Sequence, residues 1–268
     1  MYGKLQDLWY NEGMEYQFKA YKENLSNSSC VIFIDYDVCD ELTQFIDRHF
    51  VSICAGNTSS PLNVVKENIK NYLKNKSNKQ KIGAVAEFFA HLYFINNQYK
   101  QECLFTNLEE LSAKKGFDGV YSNSNDYWIM ESKAGNYSAS TNHNSLIVKA
   151  YNDLNDKFSG KVKKGCPNNP WRNAYNHASH ADVNSAESLK KQFNRLADEY
   201  TMKKYRDSSE FNIIPCSTII NDEIVNVEAR NNLIQKLKKK IEKFKYKKII
   251  CVAISNRIYD FFLNYLEA

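Results

Sequence analysis

Hydrophobic and polar positions divide the chain into short apolar runs and longer stretches of helical period. Cys30 to Tyr36 reads C-V-I-F-I-D-Y, a β-branched run that predicts a strand, and Val38, Leu42, Phe45, Ile46 and His49 then fall at helical spacing. Pro61 opens a second amphipathic helix with Leu62, Val65, Ile69 and Leu73 on its apolar face. The polar stretch Lys74 to Lys81 marks a boundary. It separates an N-terminal α/β accessory region, residues 1–75, from a main unit, residues 76–268. Gly83 to Ile95 is apolar nearly all round, as a helix buried on most faces must be. Its exceptions, Glu87 and His91, lie one turn apart on one stripe.

Two aromatic, β-branched segments follow, Gly116 to Tyr121 and Asp126 to Lys133, around the polar turn Ser122 to Asn125, and together they predict a hairpin. Helices are expected over 145–157, 185–205, 224–244 and 259–266, and strands over 211–220 and 249–254. Residues 160–170 read as a basic loop, and 169–180 carry Trp171, Arg172, Tyr175, His177 and His180, types that suit base stacking and phosphate contact but equally a loop packed on the sheet. Strands interleaved with helices place the fold in the α/β class.

Composition adds bounds. The chain has 268 residues, a formal net charge of +5 and 43% hydrophobic positions, which excludes disorder for the bulk and permits a nucleic-acid partner without requiring one. No apolar run approaches the roughly 20 residues of a membrane span. Asp7 stands where a signal peptide would be apolar, so a cytoplasmic protein is expected. Seven cysteines are scattered without a C-x-x-C pair and read as free thiols. Cys166, His177 and His180 are too few and too closely spaced for an ordinary zinc site. The lysines from Lys236 to Lys248 form a basic helix that could follow phosphates but equally suits a solvated face.

The sharpest chemistry lies on the hairpin. Side chains alternate along a strand, so Glu131 and Lys133 share a face, and pairing with the preceding strand brings Asp118 beside them. Two carboxylates and an ammonium in one patch suit metal-assisted phosphodiester cleavage: the acids hold a divalent cation, and the lysine orients or deprotonates the nucleophile. The bland alternatives are a turn aspartate and a surface ion pair on an edge strand. No Walker A loop and no G-x-S-x-G elbow is present, so any ATP hydrolysis would fall to another chain.

Asp118, a turn-containing spacer and Glu131-Ser132-Lys133 resemble the PD-(D/E)xK nuclease superfamily, whose preceding helix carries an acid, here Glu87. The phrases C-V-I-F-I-D-Y, I-G-A-V-A-E-F-F-A-H-L, K-G-F-D-G-V-Y and Y-W-I-M-E-S-K together resemble the HamA family, the nuclease subunits of Hachiman anti-phage defence systems, which work with the helicase HamB. The resemblance implies a restriction-endonuclease-like core with a mixed sheet flanked by helices and an N-terminal α/β extension. It further implies a Mg2+-dependent DNase in which Mn2+ can substitute, with Asp118, Glu131, Lys133 and Glu87 catalytic and Asp118 and Glu131 holding the metal. DNA and a HamB-like helicase are the expected partners, with no membrane. The rival readings are a self-sufficient type II restriction endonuclease and a non-catalytic module that binds nucleic acid or protein.

Overall fold

A computed structural model describes residues 19–106, 116–124, 126–161, 168–220 and 227–268. In chain order the elements are β1 (Lys19–Ser26), β2 (Ser29–Asp35), α1 (Asp40–Ala55), α2 (Leu62–Lys74), α3 (Asn78–Asn96), β3 (Lys100–Gln101), β4 (Gly119–Asn123) and β5 (Asp126–Asn136). Then come α4 (His143–Phe158), α5 (Pro170–Ser179), α6 (Glu187–Thr201), β6 (Asn212–Ile220), α7 (Val227–Ile241), β7 (Lys248–Asn256) and α8 (Ile258–Glu267). The strands form one seven-stranded sheet in the order β1-β2-β7-β6-β5-β4-β3. Its centre, β2-β7-β6-β5, is parallel, and both flanks are antiparallel.

Parallel strands are covered on both faces, which is why their sequences are apolar almost without a break. Every residue of β6 is buried. In β2, Cys30, Ile32 and Ile34 face a core made with α1, α2, α3 and α8, whereas Val31 and Phe33 face a second core made with α4 to α7. Phe88 and Phe262 anchor the first, with ring centroids 4.6 Å apart. Phe158 and Phe211 anchor the second at 4.5 Å. This is the α/β class that the sequence pattern predicts, with the mixed sheet flanked by helices that the resemblance implies. The boundary drawn at residue 75 falls in the link between α2 and α3, and β2 pairs with β7 along its whole length, so the N-terminal segment supplies strands to the same sheet.

Several elements differ from the sequence expectation. The hairpin turn is tighter, because β4 runs to Asn123 and pairs it with Asp126, and Ser124 carries the turn with φ 54°. The polar residues Ser122 and Asn123 are therefore ladder positions near the sheet edge. Residues 170–179 form α5, with the Asn169 side chain accepting from the backbone N–H groups of Trp171 and Arg172 and Pro170 at the first helical position. An asparagine cap before proline is a helix-start signal. Strand β1 was not foreseen, since K-A-Y-K-E-N-L-S is a largely exposed edge strand with no apolar face to betray it. The predicted helix start at Ile224, the loop residue Cys166 and Asp7 lie outside the described residues.

Two glycines fix close approaches. Gly56 ends α1 at φ 72°, and a Cβ there would sit 2.5 Å from the Asp182 carbonyl oxygen. A Cβ on Gly116 would sit 2.3 Å from the Pro170 carbonyl oxygen, so the chain entering Asp118 rests directly on the start of α5. Among the described residues no helix is long and apolar enough to cross a membrane.

Candidate active site

β5 lies between β4 and β6, so Glu131 and Lys133 belong to an internal strand and not to an edge. Alternation sends Trp128 and Met130 into the core under α3 and sends Glu131 and Lys133 to the opposite face, under α4. Glu131 is only 4% exposed. Asp118 immediately precedes β4, whose first residue, Gly119, pairs with Met130. Its Oδ2 accepts from the Ser132 backbone N–H at 2.8 Å, so the carboxylate continues the hairpin ladder where β4 has not yet begun. The structure thereby brings Asp118, Glu131 and Lys133 together.

Each oxygen of Glu131 meets an ammonium. Lys133 Nζ lies 2.7 Å from Oε1, and Lys157 Nζ, from α4, contacts Oε2. Lys133 also reaches Asp153 Oδ2 of α4 at 2.9 Å. The spacings match: two residues along a strand span about 6.7 Å and four along a helix about 6 Å. Because α4 returns along the sheet against β5, the acid-then-base order on the strand meets an acid-then-base order running the other way. Burial pushes the Glu131 carboxyl above its usual range, Asp118 adds to this, and the two lysines oppose it. For Lys133 burial works against the charged form, but Glu131 and Asp118 outweigh it and hold the ammonium above the ordinary lysine range.

α4 is fixed by its first turn. Asn142 caps it with Ser145 in a reciprocal capping box. His143, buried, sets Nδ1 2.8 Å from Ser217 Oγ of β6 and Nε2 2.8 Å from Ser255 Oγ of β7. The Ser217 hydroxyl donates to the Val252 carbonyl, so it accepts from Nδ1–H, and Nε2 accepts from Ser255. Burial lowers the His143 pKa to about 4, which keeps the ring neutral.

Glu87 is carried by another element. It is half-buried on α3, the helix that packs on the face of the sheet away from Lys133 and Asp153. His91, one turn on, is buried with Nδ1 2.7 Å from the Tyr121 hydroxyl. Burial drives the Tyr121 pKa well up, and Cys103, Cys216, Glu87 and Asp118 add to the effect, which places both carboxylates within electrostatic reach of that hydroxyl.

The remaining candidates have local partners. His177 Nδ1 accepts from the Leu104 N–H at 3.2 Å, and His180 Nδ1 from the Asp182 N–H at 3.3 Å. Among the described residues no three His, Cys, Asp or Glu side chains gather as a metal cluster. Trp171 is in the core, not on a surface where bases could stack. Lys236, Lys238, Lys239, Lys240 and Lys243 are exposed, whereas Lys245 pairs with Asp207, and Lys247 and Lys248 with Asp126. Sequence reasoning missed Asp153 and Lys157, because nothing in N-D-L-N-D-K shows which face of α4 meets β5.

The mixed sheet, with helices on both faces and an acid–acid–lysine group at its internal hairpin, defines an α/β protein consistent with a nuclease-like core. The family follows from comparison: the HamA family model matches residues 4–265, nearly the whole chain, and the chain belongs to that family, the proteins of Hachiman-type anti-phage defence. A comparison with curated proteins gave no match.

Proposed function

We propose that the chain is a divalent-metal-dependent DNA endonuclease of the PD-(D/E)xK kind, the cytoplasmic effector of a Hachiman-type system that acts with a HamB-like helicase. The observation that supports this most is Glu131, a carboxylate buried on an internal strand with Lys133 beside it and Asp118 on the adjoining chain. Burying an ion costs several kcal/mol, roughly, and this hairpin buries a carboxylate together with two half-buried ammoniums that offset it, an arrangement a fold rarely keeps without use. The donor set fits Mg2+, which takes one or two carboxylates and keeps several waters. Asp118 and Glu131 would hold it. When bound, such a cation supplies a more acidic water and neutralises phosphate charge.

The chain's own residues divide the remaining work. Asp118 keeps one oxygen on the Ser132 N–H, which fixes its carboxylate against β5. Lys133, beside Glu131, orients or deprotonates the attacking water. Glu87, carried by α3, stays a candidate. The test is cleavage of plasmid and linear DNA by the purified chain, with and without its helicase partner, in Mg2+, Mn2+ or EDTA. Cleavage should need the metal, and Lys133→Ala should slow it with little loss of DNA binding. Undiminished cleavage in EDTA overturns the metal mechanism, and discrete fragments from the chain alone would favour a restriction endonuclease.

A further inference from the structure

Lys133 and Lys157 hold Glu131 in different ways. Lys133 is tied at both ends, to Glu131 and to Asp153, and its side chain is 19% exposed. Lys157 is 26% exposed and, among the described residues, has Glu131 as its one carboxylate, with the Phe117 ring centroid 5.7 Å from its ammonium. It sits one residue before the end of α4, which closes through Ser159 into Gly160 at φ 70°. Of the two cations on Glu131, Lys157 is therefore the one that can leave without dismantling the rest.

We infer that Lys157 is a further residue of the site: a built-in counter-ion that occupies the second Glu131 oxygen until a divalent cation takes it. The inference rests on the metal-dependent reading above and adds a competition to it. A carboxylate oxygen has a second lone pair, but an ammonium and a divalent cation on the same oxygen repel at close range. Cation binding at Asp118 and Glu131 then requires the Lys157 ammonium to swing towards solvent, which its flexible stem and partial exposure allow. With no cation present, Lys157 balances the charge of the buried carboxylate and holds it in place. Metal affinity is set low by an amino acid that no signature of the hairpin contains.

The test is calorimetric titration of Mn2+ into the full chain at pH 8, comparing wild type with Lys157→Met, Lys157→Gln, Lys157→Arg and Glu131→Gln. Removing the competing charge should tighten the site at least about tenfold in both neutral variants, the scale of one close charge repulsion. Lys157→Arg, which keeps the charge, should stay near wild type, and Glu131→Gln should abolish the site. Lys157→Gln retains a hydrogen-bond donor and keeps the question answerable should the methionine variant fold poorly. Equal or weaker binding in the neutral variants, with a wild-type site that Glu131→Gln removes, overturns the counter-ion role and leaves the metal reading standing. Absence in every variant of a site that depends on Glu131 overturns the metal reading, and this proposal with it.

Discussion

Two carboxylates of this protein are almost equally buried, Glu131 at 4% exposure and Glu102, just after β3, at 2%, and their surroundings differ in kind. Glu102 is held by hydroxyls: Ser122 of β4 donates to Oε1 at 2.6 Å and Ser185 donates to Oε2, with Lys100 at 3.4 Å on the solvent side. Those bonds clasp β3, β4 and the segment before α6 in a fixed geometry. Glu131 is held by two ammoniums and crowded by a second carboxylate. A directional hydroxyl makes a structural joint, whereas a cation can be exchanged for another cation. Burial alone marks an expensive carboxylate. The kind of partner separates a joint from a site.

The largest effect expected is on catalysis. Glu131→Gln and Asp118→Asn should each cut the initial rate of DNA cleavage at least about 1000-fold, about 4 kcal/mol, while Glu102→Gln stays within about threefold. A comparable loss at Glu102 would erase the distinction. Stability should separate the pair next. Glu131→Ala leaves the Lys157 ammonium without its carboxylate and Lys133 with Asp153 alone, at about 3–5 kcal/mol in denaturant melts. Glu102→Ala strands two hydroxyls and leaves Lys100, an ammonium that solvent already reaches, at about 1–3 kcal/mol.

Acid should then act on one of them first. His143 has a folded pKa near 4 against an ordinary 6.5, so the unfolded chain binds a proton that the folded chain refuses. Stability from this ring is complete above pH 6.5 and declines as the pH falls towards 4, by about 3 kcal/mol in all. Hydrogen exchange in α4, and with it the Asp153 and Lys157 contacts, should loosen before the Glu102 clasp does, and His143→Gln should flatten the dependence. The smallest effect concerns Glu87. Its Gln variant should lose activity about tenfold, roughly 1.4 kcal/mol, with stability unchanged. Unchanged activity would place Glu87 with the structural carboxylates and reduce the site to Asp118, Glu131 and Lys133.

Most of this fold was legible because its strands are buried on both faces and its helices on one, so that Cys30–Tyr36, Ile249–Ile254 and Leu233–Phe244 announce themselves by period. The invisible pieces have no such face. β1 is an exposed edge, and β3 is two residues long and is defined only by pairing with β4. Within the candidate site, residues on one strand were legible through the two-residue alternation that joins Glu131 to Lys133. Asp153 and Lys157 were not, since their place depends on how α4 docks across the sheet. The same reason hid Glu102, whose partners lie 20 and 83 residues away.

The anchoring of α4 at both ends makes its length a gauge. His143 is seated between β6 and β7, and ten residues later Asp153 must find Lys133 on β5, then Lys157 must find Glu131. Deleting one residue between these anchors would rotate the far half of the helix by about 100° and retract it by about 1.5 Å, carrying both charges off the strand together. Substitutions along the outer face of α4 should be absorbed easily, yet a single-codon insertion or deletion there would unseat the charges around Glu131 while every hairpin residue stayed as it is.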